Sequence, residues 1–497
     1  MSTEGNQSKP IHNYQVYIVS CFVFSVFYLL SFRTGLERFG FDQTIYQVAA
    51  NQLNHGFKLY SEIWVSKSPY VYFFTWISRL FPYRMFELVL GNLSIFFIIK
   101  ILRVLSISKL FQYLFVALFV LFFYFPTTYG LGNYSEEYGV FLQTLFIAFS
   151  ILSVNKNSNT YLFLSGTTFF IAALTKEPLL IGLSPWILYL LLKRKNLFVF
   201  AGGLILSVIL TFILLHLFGG FQEYLEYVKY SFAYSKFLNL SYAQKLTVGW
   251  TTILTFLPEP KWLFMALPIV GIVSIPHLPK RFRILGIIAA CQFLLDITLC
   301  SISGYPFPHY YILLALSYTI LAFIGVSSIA SVIKKYTRNI VLSKFVMPAT
   351  IVVFTTLALI SHSKNFRKNL SSSNNLDAPI DLVAKSLPPN STVYVDDVNL
   401  SRLYLLNGYH TTSYIPVPVF HFFMVGDPNF EKRVTTFRES LKVNPNEYIV
   451  TTETQSTLDV YEDLTSFLNN SYKVIKEIES PGGAIRVWKY DGEGGNN

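Results

Sequence analysis

Long apolar stretches alternate with short polar connections over most of the chain. Many of these stretches approach the roughly 20 residues that an α-helix needs to cross about 30 Å of hydrocarbon. The pattern predicts a multi-pass α-helical membrane protein with about eleven transmembrane helices. The predicted segments are residues 14–32, 84–102, 110–126, 137–154, 160–175, 177–192, 197–218, 262–275, 284–301, 310–330 and 341–361.

The last part of the chain has a different pattern. The runs "STVYVDD", "NEYIVTTE" and "GGAIRVWKY" predict strands, and "FEKRVTTFRESL" and "LDVYEDLTSFLNN" predict helices between them. Such alternation is typical of a small α/β domain. We expect this domain at 380–497, a Ser- and Asn-rich linker at 362–379, and a transmembrane domain at 14–361 that includes an outer-face loop at 33–69. A short cytoplasmic N-terminus, 1–13, precedes them.

Composition and charge agree with a membrane protein. Hydrophobic residues make up 53% and charged residues 13% of the 497 residues, and the mean hydropathy is +0.45, unlike an ordinary soluble domain. The net charge of +11 does not indicate nucleic-acid binding, because Lys and Arg cluster in short connections between apolar stretches. Alternate connections carry these cations and no acid, which predicts a cytoplasmic N-terminus and an extracytoplasmic C-terminal domain.

The cysteines and the first apolar segment also fit a membrane protein. Cys21, Cys291 and Cys300 all lie in apolar stretches, so we interpret them as packing residues rather than disulfide or zinc ligands. The segment 14–32 has no small-residue cleavage site behind it and is interpreted as a retained first span.

The first outer loop contains Asp42, followed by the helical apolar stripe Ile45, Val48, Ala49 and Leu53. Such a stripe predicts a helix lying on the membrane surface, and Asp42 is a favoured residue for its N-cap. The functional alternative is that its carboxylate accepts a proton from an acceptor hydroxyl as a general base. Both roles are compatible.

Two further sets of charges face the same side in this topology. Lys67 either extends to the interface or holds a phosphate. Glu136 and Glu137 begin a predicted span, where they stabilise the helix dipole or serve acid–base chemistry or a metal ion.

The remaining candidates also carry two interpretations each. Lys176 pairs with the adjacent Glu177 in a short turn or meets a lipid phosphate. His309, with Tyr310 beside it, belongs to an interfacial aromatic belt or to the site. Asp296 lies inside an apolar span, where it faces a cavity or a cation, or is hydrogen-bonded to Thr298 or a serine.

The motifs "FDQTIY", "HGFKLYSEIWVSKSPY", "NYSEEYGVF", "LTKEPLL" and "PHYYILL" occur in this order over residues 14–330. Together they resemble the GT-C glycosyltransferases, in particular bacterial relatives of protein O-mannosyltransferases and of the lipid A aminoarabinose transferase. Two positions depart from the pattern. Gln43 stands where many members have Glu, and Ile45 where the aminoarabinose branch has Arg.

The resemblance implies a polyprenyl-phosphate sugar donor, transfer with inversion, and Asp42 as the catalytic base. It implies that Lys67 binds the donor phosphate and that Lys176 is a second recurring lysine. Because Gln43 replaces an acid, Glu136 or Glu137 would supply a second carboxylate. We add Tyr46, Asp296, His309 and Tyr310 as candidate substrate-binding residues.

The expected partners are this lipid-linked donor, membrane lipids and an extracytoplasmic glycan, lipid or protein acceptor, without nucleic acid. No cofactor is assigned, and a divalent cation stays open. Two alternatives also stay open: a transporter or flippase of a lipid-linked sugar, which Asp296 favours, and a membrane scaffold whose outer domain binds a glycan or a partner.

Overall fold

The computed structural model describes most of the chain. The described residues are 11–31, 41–63, 65, 67–80, 85–124, 134–234, 240–257, 261–302, 304–305, 307–336, 374–396, 398–412, 428–452, 462–480 and 483–491, with isolated positions between 337 and 373.

Helices dominate the described residues. They are α1 (Ile11–Ser31), α2 (Phe41–Asn54), α3 (Pro69–Arg79), α4 (Met85–Val104), α5 (Lys109–Phe123), α6 (Ser135–Asn155), α7 (Asn159–Thr175), α8 (Pro178–Gly182), α9 (Ser184–Leu192), α10 (Leu197–Phe218), α11 (Phe221–Tyr234), α12 (Tyr242–Phe256), α13 (Lys261–Ser274), α14 (Lys280–Ser301), α15 (Ala315–Tyr336), α16 (Asn374–Ala384), α17 (Pro428–Val443) and α18 (Glu462–Ser471). Short 3-10 segments occur at Ile275–His277, Pro308–Leu314 and Val398–Leu405.

Helices occupy the first ten of the predicted apolar segments, and the segment 341–361 lies almost entirely outside the described residues. Five helical stretches in the described part are long and apolar enough to cross a membrane: Met85–Val104, Ser135–Asn155, Leu197–Phe218, Lys280–Ser301 and His309–Ile333. The segment 177–192 is interrupted at Leu183, where α8 ends and α9 begins. Pro185 in the first turn of α9 fits this break, since proline is tolerated at a helix start but not in the interior.

The chain divides into two compact units. The first contains residues 1–36, 81–209 and 240–367, and the second contains residues 37–80, 210–239 and 368–497. The outer-face loop with α2 and α3 therefore belongs to the same unit as the C-terminal strands.

Small residues let helices α7 and α10 approach closely within the first unit. A Cβ on Gly166 would lie 2.0 Å from the carbonyl oxygen of Phe200, and a Cβ on Gly203 would lie 2.1 Å from that of Phe163. Ser207 Oγ donates to the Thr167 carbonyl at 3.0 Å across the same contact. Close backbone approach with hydroxyl bonds is a common way to pack helices in lipid, where apolar side chains gain little from association.

The second unit contains a four-stranded sheet in the order β1-β2-β4-β3. The strands are β1 (Val393–Val395), β2 (Tyr448–Thr452), β3 (Tyr472–Ile478) and β4 (Ile485–Tyr490). β1 and β2 are parallel, and the other pairs are antiparallel. The helices α17 and α18 pack on it through Phe437, Leu441 and Leu468, which meet Tyr394 and Ile449.

Three of the strands and both helices lie where the sequence pattern predicts them, but β3 was not predicted. It begins at Tyr472, directly after α18 ends at Ser471, so the turn-type residues Asn469 and Asn470 lie inside the helix and not between the two elements. Helix α16 was not predicted either, and it begins within the segment expected to be a linker.

Asp396 directly follows β1 and is buried. An acid at the end of a strand is usually solvated, yet Asp396 is fully buried and accepts a hydrogen bond from Tyr394 Oη at 3.2 Å. A buried carboxylate needs such partners, because its desolvation is otherwise costly. The adjacent Asp397 lies outside the described residues.

Candidate functional site

An ion pair between Glu136 and Lys176 forms the centre of the charged cluster in the first unit. Lys176 Nζ lies 2.6 Å from Glu136 Oε1, and the two side chains are 9% and 1% exposed. Ser135 Oγ donates to the second carboxylate oxygen of Glu136 at 2.9 Å. Lys176 therefore pairs with a glutamate on another helix, a contact that neither of the two sequence interpretations had included.

Local structure explains how these two charges meet. Glu136 is the second residue of α6, where a negative side chain is favoured by the helix dipole. Lys176 follows the last residue of α7 and has an extended backbone, with φ −146° and ψ 111°, before Pro178 starts α8. The break between α7 and α8 thus places a lysine beside the start of α6.

One aromatic ring contacts the ammonium group of Lys176, and two further rings pack behind it. Its Nζ lies 4.5 Å from the ring centroid of Tyr310, a cation–π contact. His309 meets the ring of Tyr310 edge-on at 4.9 Å, and Tyr134 stacks on His309 at 4.7 Å with an interplanar angle of 6°. The structure therefore brings together four predicted residues, Glu136, Lys176, His309 and Tyr310, and adds Tyr134.

This cluster combines one desolvated carboxylate, one desolvated ammonium and a histidine. Two opposite charges in a water-poor site attract strongly, and each compensates the burial of the other. An anion near Lys176 would compete with Glu136 for the ammonium group, so the pair can respond to a charged ligand. Glu137, the next residue of α6, is also fully buried.

Asp296 lies in a separate cluster of the first unit. Ser317 Oγ on α15 donates to its Oδ2 at 3.1 Å, and a Cβ on Gly182 would lie 2.5 Å from its Oδ1. One turn earlier, Gln292 Oε1 accepts from Trp186 Nε1 at 2.7 Å. These contacts are those of the serine-bonded alternative, in which Asp296 ties α14 to α15 beside α8.

Glu87 was missed by the sequence analysis. It lies in the first turn of α4, is fully buried, and accepts hydrogen bonds from Tyr28 Oη at 2.9 Å and Tyr138 Oη at 2.6 Å. Tyr138 lies on α6 immediately after Glu137, so this carboxylate joins α1 and α4 to the first turns of α6. The signal was an acid inside an otherwise apolar stretch, a feature that usually has a specific role in a membrane.

The second unit contains Asp42, Tyr46 and Lys67. Asp42 is the second residue of α2, within its first turn rather than before it, and its side chain lies outside the described part. Tyr46 follows one helical turn later, on the same face. It is buried, and its ring meets that of Tyr72 edge-on at 5.8 Å.

Tyrosine hydroxyls hold the backbone of Lys67 on both sides. Its N–H donates to Tyr72 Oη at 3.1 Å, and its carbonyl oxygen accepts from Tyr60 Oη at 2.9 Å. Because Tyr72 contacts both Lys67 and Tyr46, the face of α2 that carries Tyr46 packs next to the Lys67 segment.

Tyr60 has a strained backbone at this point. Its φ is +68°, which is rare for a bulky residue, and its ring is buried against Tyr224 and Tyr227 of α11. Such strain persists only where the surrounding packing fixes it, and it is frequent at functional sites.

An apolar cavity of about 110 Å³ lies within the first unit, between α12, α13, α14 and α15. Trp250, Phe264, Phe293 and Tyr318 are among its lining residues, none of which is charged, and none of the predicted site residues lines it. The cavity therefore suits a hydrocarbon group rather than the charged chemistry. Across the described residues, no three His, Cys, Asp or Glu side chains are grouped closely enough to hold a metal ion.

Comparisons with known proteins give a clear answer only at the level of structure. No protein-family model matches the sequence, and no curated protein matches it. The crystal structure of ArnT from Cupriavidus metallidurans bound to undecaprenyl phosphate matches with a TM-score of 0.60 and 14% identity, covering 97% of this chain and 100% of that one. The same enzyme in the apo state matches with a TM-score of 0.58 and 13% identity, covering 99% and 100%.

These matches confirm the resemblance drawn from the short motifs. The chain has the fold of ArnT, the lipid A aminoarabinose transferase of the GT-C class, over nearly its whole length. This fold and the apolar helices support an integral membrane protein.

Proposed function

We propose that this protein is an inverting glycosyltransferase that moves a sugar from a polyprenyl-phosphate donor to an extracytoplasmic glycan, lipid or protein. The observation that carries the proposal is the match, over 97% of the chain, to a glycosyltransferase structure that holds undecaprenyl phosphate. The order of motifs around Asp42, Lys67, Glu136, Lys176 and His309 supports it independently.

Asp42 serves as the general base in this proposal. Its carboxylate accepts the proton of an acceptor hydroxyl while the hydroxyl oxygen attacks the anomeric carbon of the donor sugar. The bond from that carbon to the phosphate oxygen breaks, and the polyprenyl phosphate leaves with the bonding electrons. Attack from the face opposite to the leaving group inverts the configuration of the sugar.

Lysines stabilise the phosphate as its charge increases. Lys67 binds the donor phosphate, and its backbone is held by Tyr60 and Tyr72, so the cation need not reorganise during the reaction. Lys176 is the second cation, and its buried pairing with Glu136 keeps it charged and oriented before an anion arrives.

The other candidate residues contribute to substrate contact. Glu136 and Glu137 provide the acidic groups that Gln43 does not, and Tyr46, His309 and Tyr310 are the aromatic residues proposed to contact the substrate. Asp296 is assigned the role of a tie between helices, because its hydrogen bond to Ser317 and its contact with Gly182 occupy its carboxylate. A divalent cation is not required by these roles.

The proposal includes the predicted topology. In this topology, the Lys- and Arg-rich connections and the N-terminus lie in the cytoplasm. With about eleven spans, the C-terminal α/β domain lies outside, as do the loops with Asp42, Lys67, Glu136, Lys176 and His309. Single cysteines introduced into the loop 33–69 and at the C-terminus, in a variant that lacks Cys21, Cys291 and Cys300, test this arrangement when they are labelled with a membrane-impermeant reagent in whole cells. Labelling of both only after permeabilisation would contradict it.

Replacing Asp42 by Asn and by Ala tests the catalytic role. Transfer from a polyprenyl-phosphate sugar, assayed in membranes, should fall by at least about 100-fold in both variants, since a general base contributes about that much. Asn is the sharper replacement because it retains most local hydrogen bonding at a helix start but cannot accept the proton. Full activity of both variants would eliminate Asp42 as the base.

A second assay separates transfer from transport. Movement of a labelled lipid-linked sugar across the membrane in the absence of any acceptor would support the flippase alternative. The glycosyltransferase proposal expects no such movement and expects release of polyprenyl phosphate only when an acceptor is present.

A further inference from the structure

Helix α2 is held from two sides within the second unit. On one side, Arg79 of α3 donates from Nη1 to the Gln47 carbonyl at 3.1 Å and from Nη2 to Asn51 Oδ1 at 3.0 Å. On the other side, Asn51 Nδ2 donates to the Tyr404 carbonyl at 2.9 Å. The Asn51 amide thus bridges α3 and the C-terminal α/β domain.

A second contact joins the end of α2 to the same domain. The imidazole ring of His55, directly after α2, stacks on that of His410 with a centroid distance of 5.0 Å and an interplanar angle of 13°. Both partners of α2 are anchored to β1, because Val393 N–H donates to the His410 carbonyl at 2.7 Å and Val395 N–H donates to Tyr404 Oη at 2.9 Å.

We propose that Tyr404 and His410 of the C-terminal domain are positioning residues for α2, the helix that carries Asp42. This inference rests on the proposed function, in which Asp42 is the base. It gives the C-terminal domain a role in the reaction that does not require it to touch the substrate.

The distance along α2 between Asn51 and Asp42 turns a small tilt of the helix into a displacement of Asp42. Asn51 and Asp42 are nine residues apart, which is about 14 Å at 1.5 Å per residue. A tilt of about 10° at Asn51 would therefore move the start of α2 by about 2 Å. A misplacement of about 1 Å at a reacting group can lower a rate about 100-fold.

The histidine stack makes this contact sensitive to acid. The pKa of His55 is lowered by partial burial and by the charges of His410 and Arg79. The segment after α2 also contains the charged residues Lys58 and Glu62, and the Glu62 carboxylate accepts a hydrogen bond from the Lys58 backbone N–H at 2.7 Å. A histidine whose pKa is lowered on folding does not change the free energy of the folded contact above its unfolded pKa of about 6.5. Below that pH, the contact is progressively destabilised, because protonation is more favourable when the contact is broken. We expect the contact to be intact at neutral pH and weakened at about pH 5.5.

The test uses the full-length protein in membranes with three chains: wild type, the double variant His55→Phe with His410→Phe, and His410→Lys. Two phenyl rings keep a stacked pair but cannot be protonated, whereas lysine places a permanent charge beside His55 and Arg79. The readout is the rate of transfer between about pH 5.5 and 8.

The wild type should lose activity on the acid side, and the double variant should lose markedly less while staying within about threefold of wild type at pH 8. His410→Lys should show the acid-side loss already at neutral pH. An unchanged acid limb in the double variant, or a wild-type profile in His410→Lys, would overturn the proposal.

Hydrogen–deuterium exchange separates this inference from the proposed function. Exchange in residues 41–54 of the purified protein, corrected for the intrinsic effect of pH, should rise at about pH 5.5 in the wild type and not in the double variant. This result does not depend on any transfer activity. If exchange behaves as expected and no transfer is found, the proposed function fails and the positioning contact stands; if exchange is insensitive to pH in the wild type, the positioning proposal fails.

Discussion

Lys176 and Glu136 lie 2.6 Å apart at the junction of α7 and α6, and both side chains are almost completely buried. The two residues are far apart in the sequence and come from different predicted connections. Their pairing means that neither charge can be removed alone without leaving the other uncompensated in a water-poor site.

We therefore expect Lys176→Met and Glu136→Leu to be strongly destabilising as single variants, by about 3 to 5 kcal/mol each. The double variant replaces the pair by apolar side chains, so it should recover most of the lost thermal stability. It should not recover transfer activity if Lys176 stabilises the phosphate. Thermal unfolding of the purified protein and the transfer assay, read on the same preparations, check both expectations.

The same double variant has an informative contrary outcome. Recovery of both stability and activity would show that the ion pair is only a structural element. In that case Lys67 would have to supply the phosphate stabilisation without Lys176.

The two tyrosine hydroxyls that donate to Glu87 give a second prediction. Tyr28→Phe and Tyr138→Phe each remove one hydrogen bond to a buried carboxylate and should lower stability by about 1.5 to 3 kcal/mol. Tyr14→Phe is the matched control, because Tyr14 also lies on α1 but is 62% exposed, and it should leave the melting temperature unchanged. Equal effects of Tyr14→Phe and Tyr28→Phe would mean that the hydrogen bonds to Glu87 make no specific contribution to stability.

A third prediction concerns Gly182, which lies against Asp296. Gly182→Ala places a Cβ 2.5 Å from Asp296 Oδ1 and should lower the melting temperature, because the buried carboxylate, to which Ser317 donates, must shift to make room for the methyl group. Gly202→Ala is the control. Its Cβ would lie 3.6 Å from the Phe163 ring, an ordinary contact, so it should be neutral or stabilise α10 by about 0.4 to 1 kcal/mol.

Rescue tests the cause of the Gly182 effect. Asp296→Ala removes the atom that the new methyl group would meet, so it should lessen the added cost of Gly182→Ala. If the cost is as large with alanine at 296, the conflict lies elsewhere in α8.

A fourth prediction concerns the hydroxyls that hold Lys67. Tyr60→Phe and Tyr72→Phe each free one side of its backbone, and each should lower kcat/KM for the lipid-linked donor about tenfold, the equivalent of about 1.4 kcal/mol. Tyr242→Phe, at an exposed position of α12, is the control. Unchanged kcat/KM in both variants would separate these hydroxyls from donor binding.

Particular residues show what could be predicted before the fold was known. The five helical stretches of the described part that are long enough to cross a membrane follow from hydrophobic length, because a helix of about 20 apolar residues spans the hydrocarbon and satisfies its own backbone there. Strands β1, β2 and β4 follow from alternating apolar patterns between turn residues. Glu136, Lys176, His309 and Tyr310 were selected because Lys and Arg in alternate connections assign them to one side of the membrane.

Other features depend on which elements pack together. The sequence left Lys176 with two interpretations, a pairing with Glu177 or a contact with a lipid phosphate, and the structure shows it paired with Glu136, because the end of α7 packs next to the start of α6. The role of Glu87 follows only from the fold, which brings the hydroxyls of Tyr28 and Tyr138 to its carboxylate. The burial of Asp296 could be predicted from its apolar surroundings, but its contacts with Ser317 and Gly182 depend on how the neighbouring helices pack.

The chain by itself determined the helical membrane class, the positions of most elements and most of the charged candidates, because these depend on local periodicity and on charge in short connections. Only the tertiary structure decided the pairings, since Asn51 and Tyr404 are 353 positions apart and no local pattern connects them. Hydrogen bonds and ion pairs are short-range, so their partners are fixed by packing geometry rather than by distance along the chain. The two histidines stacked at the end of α2 are an example of such a pairing.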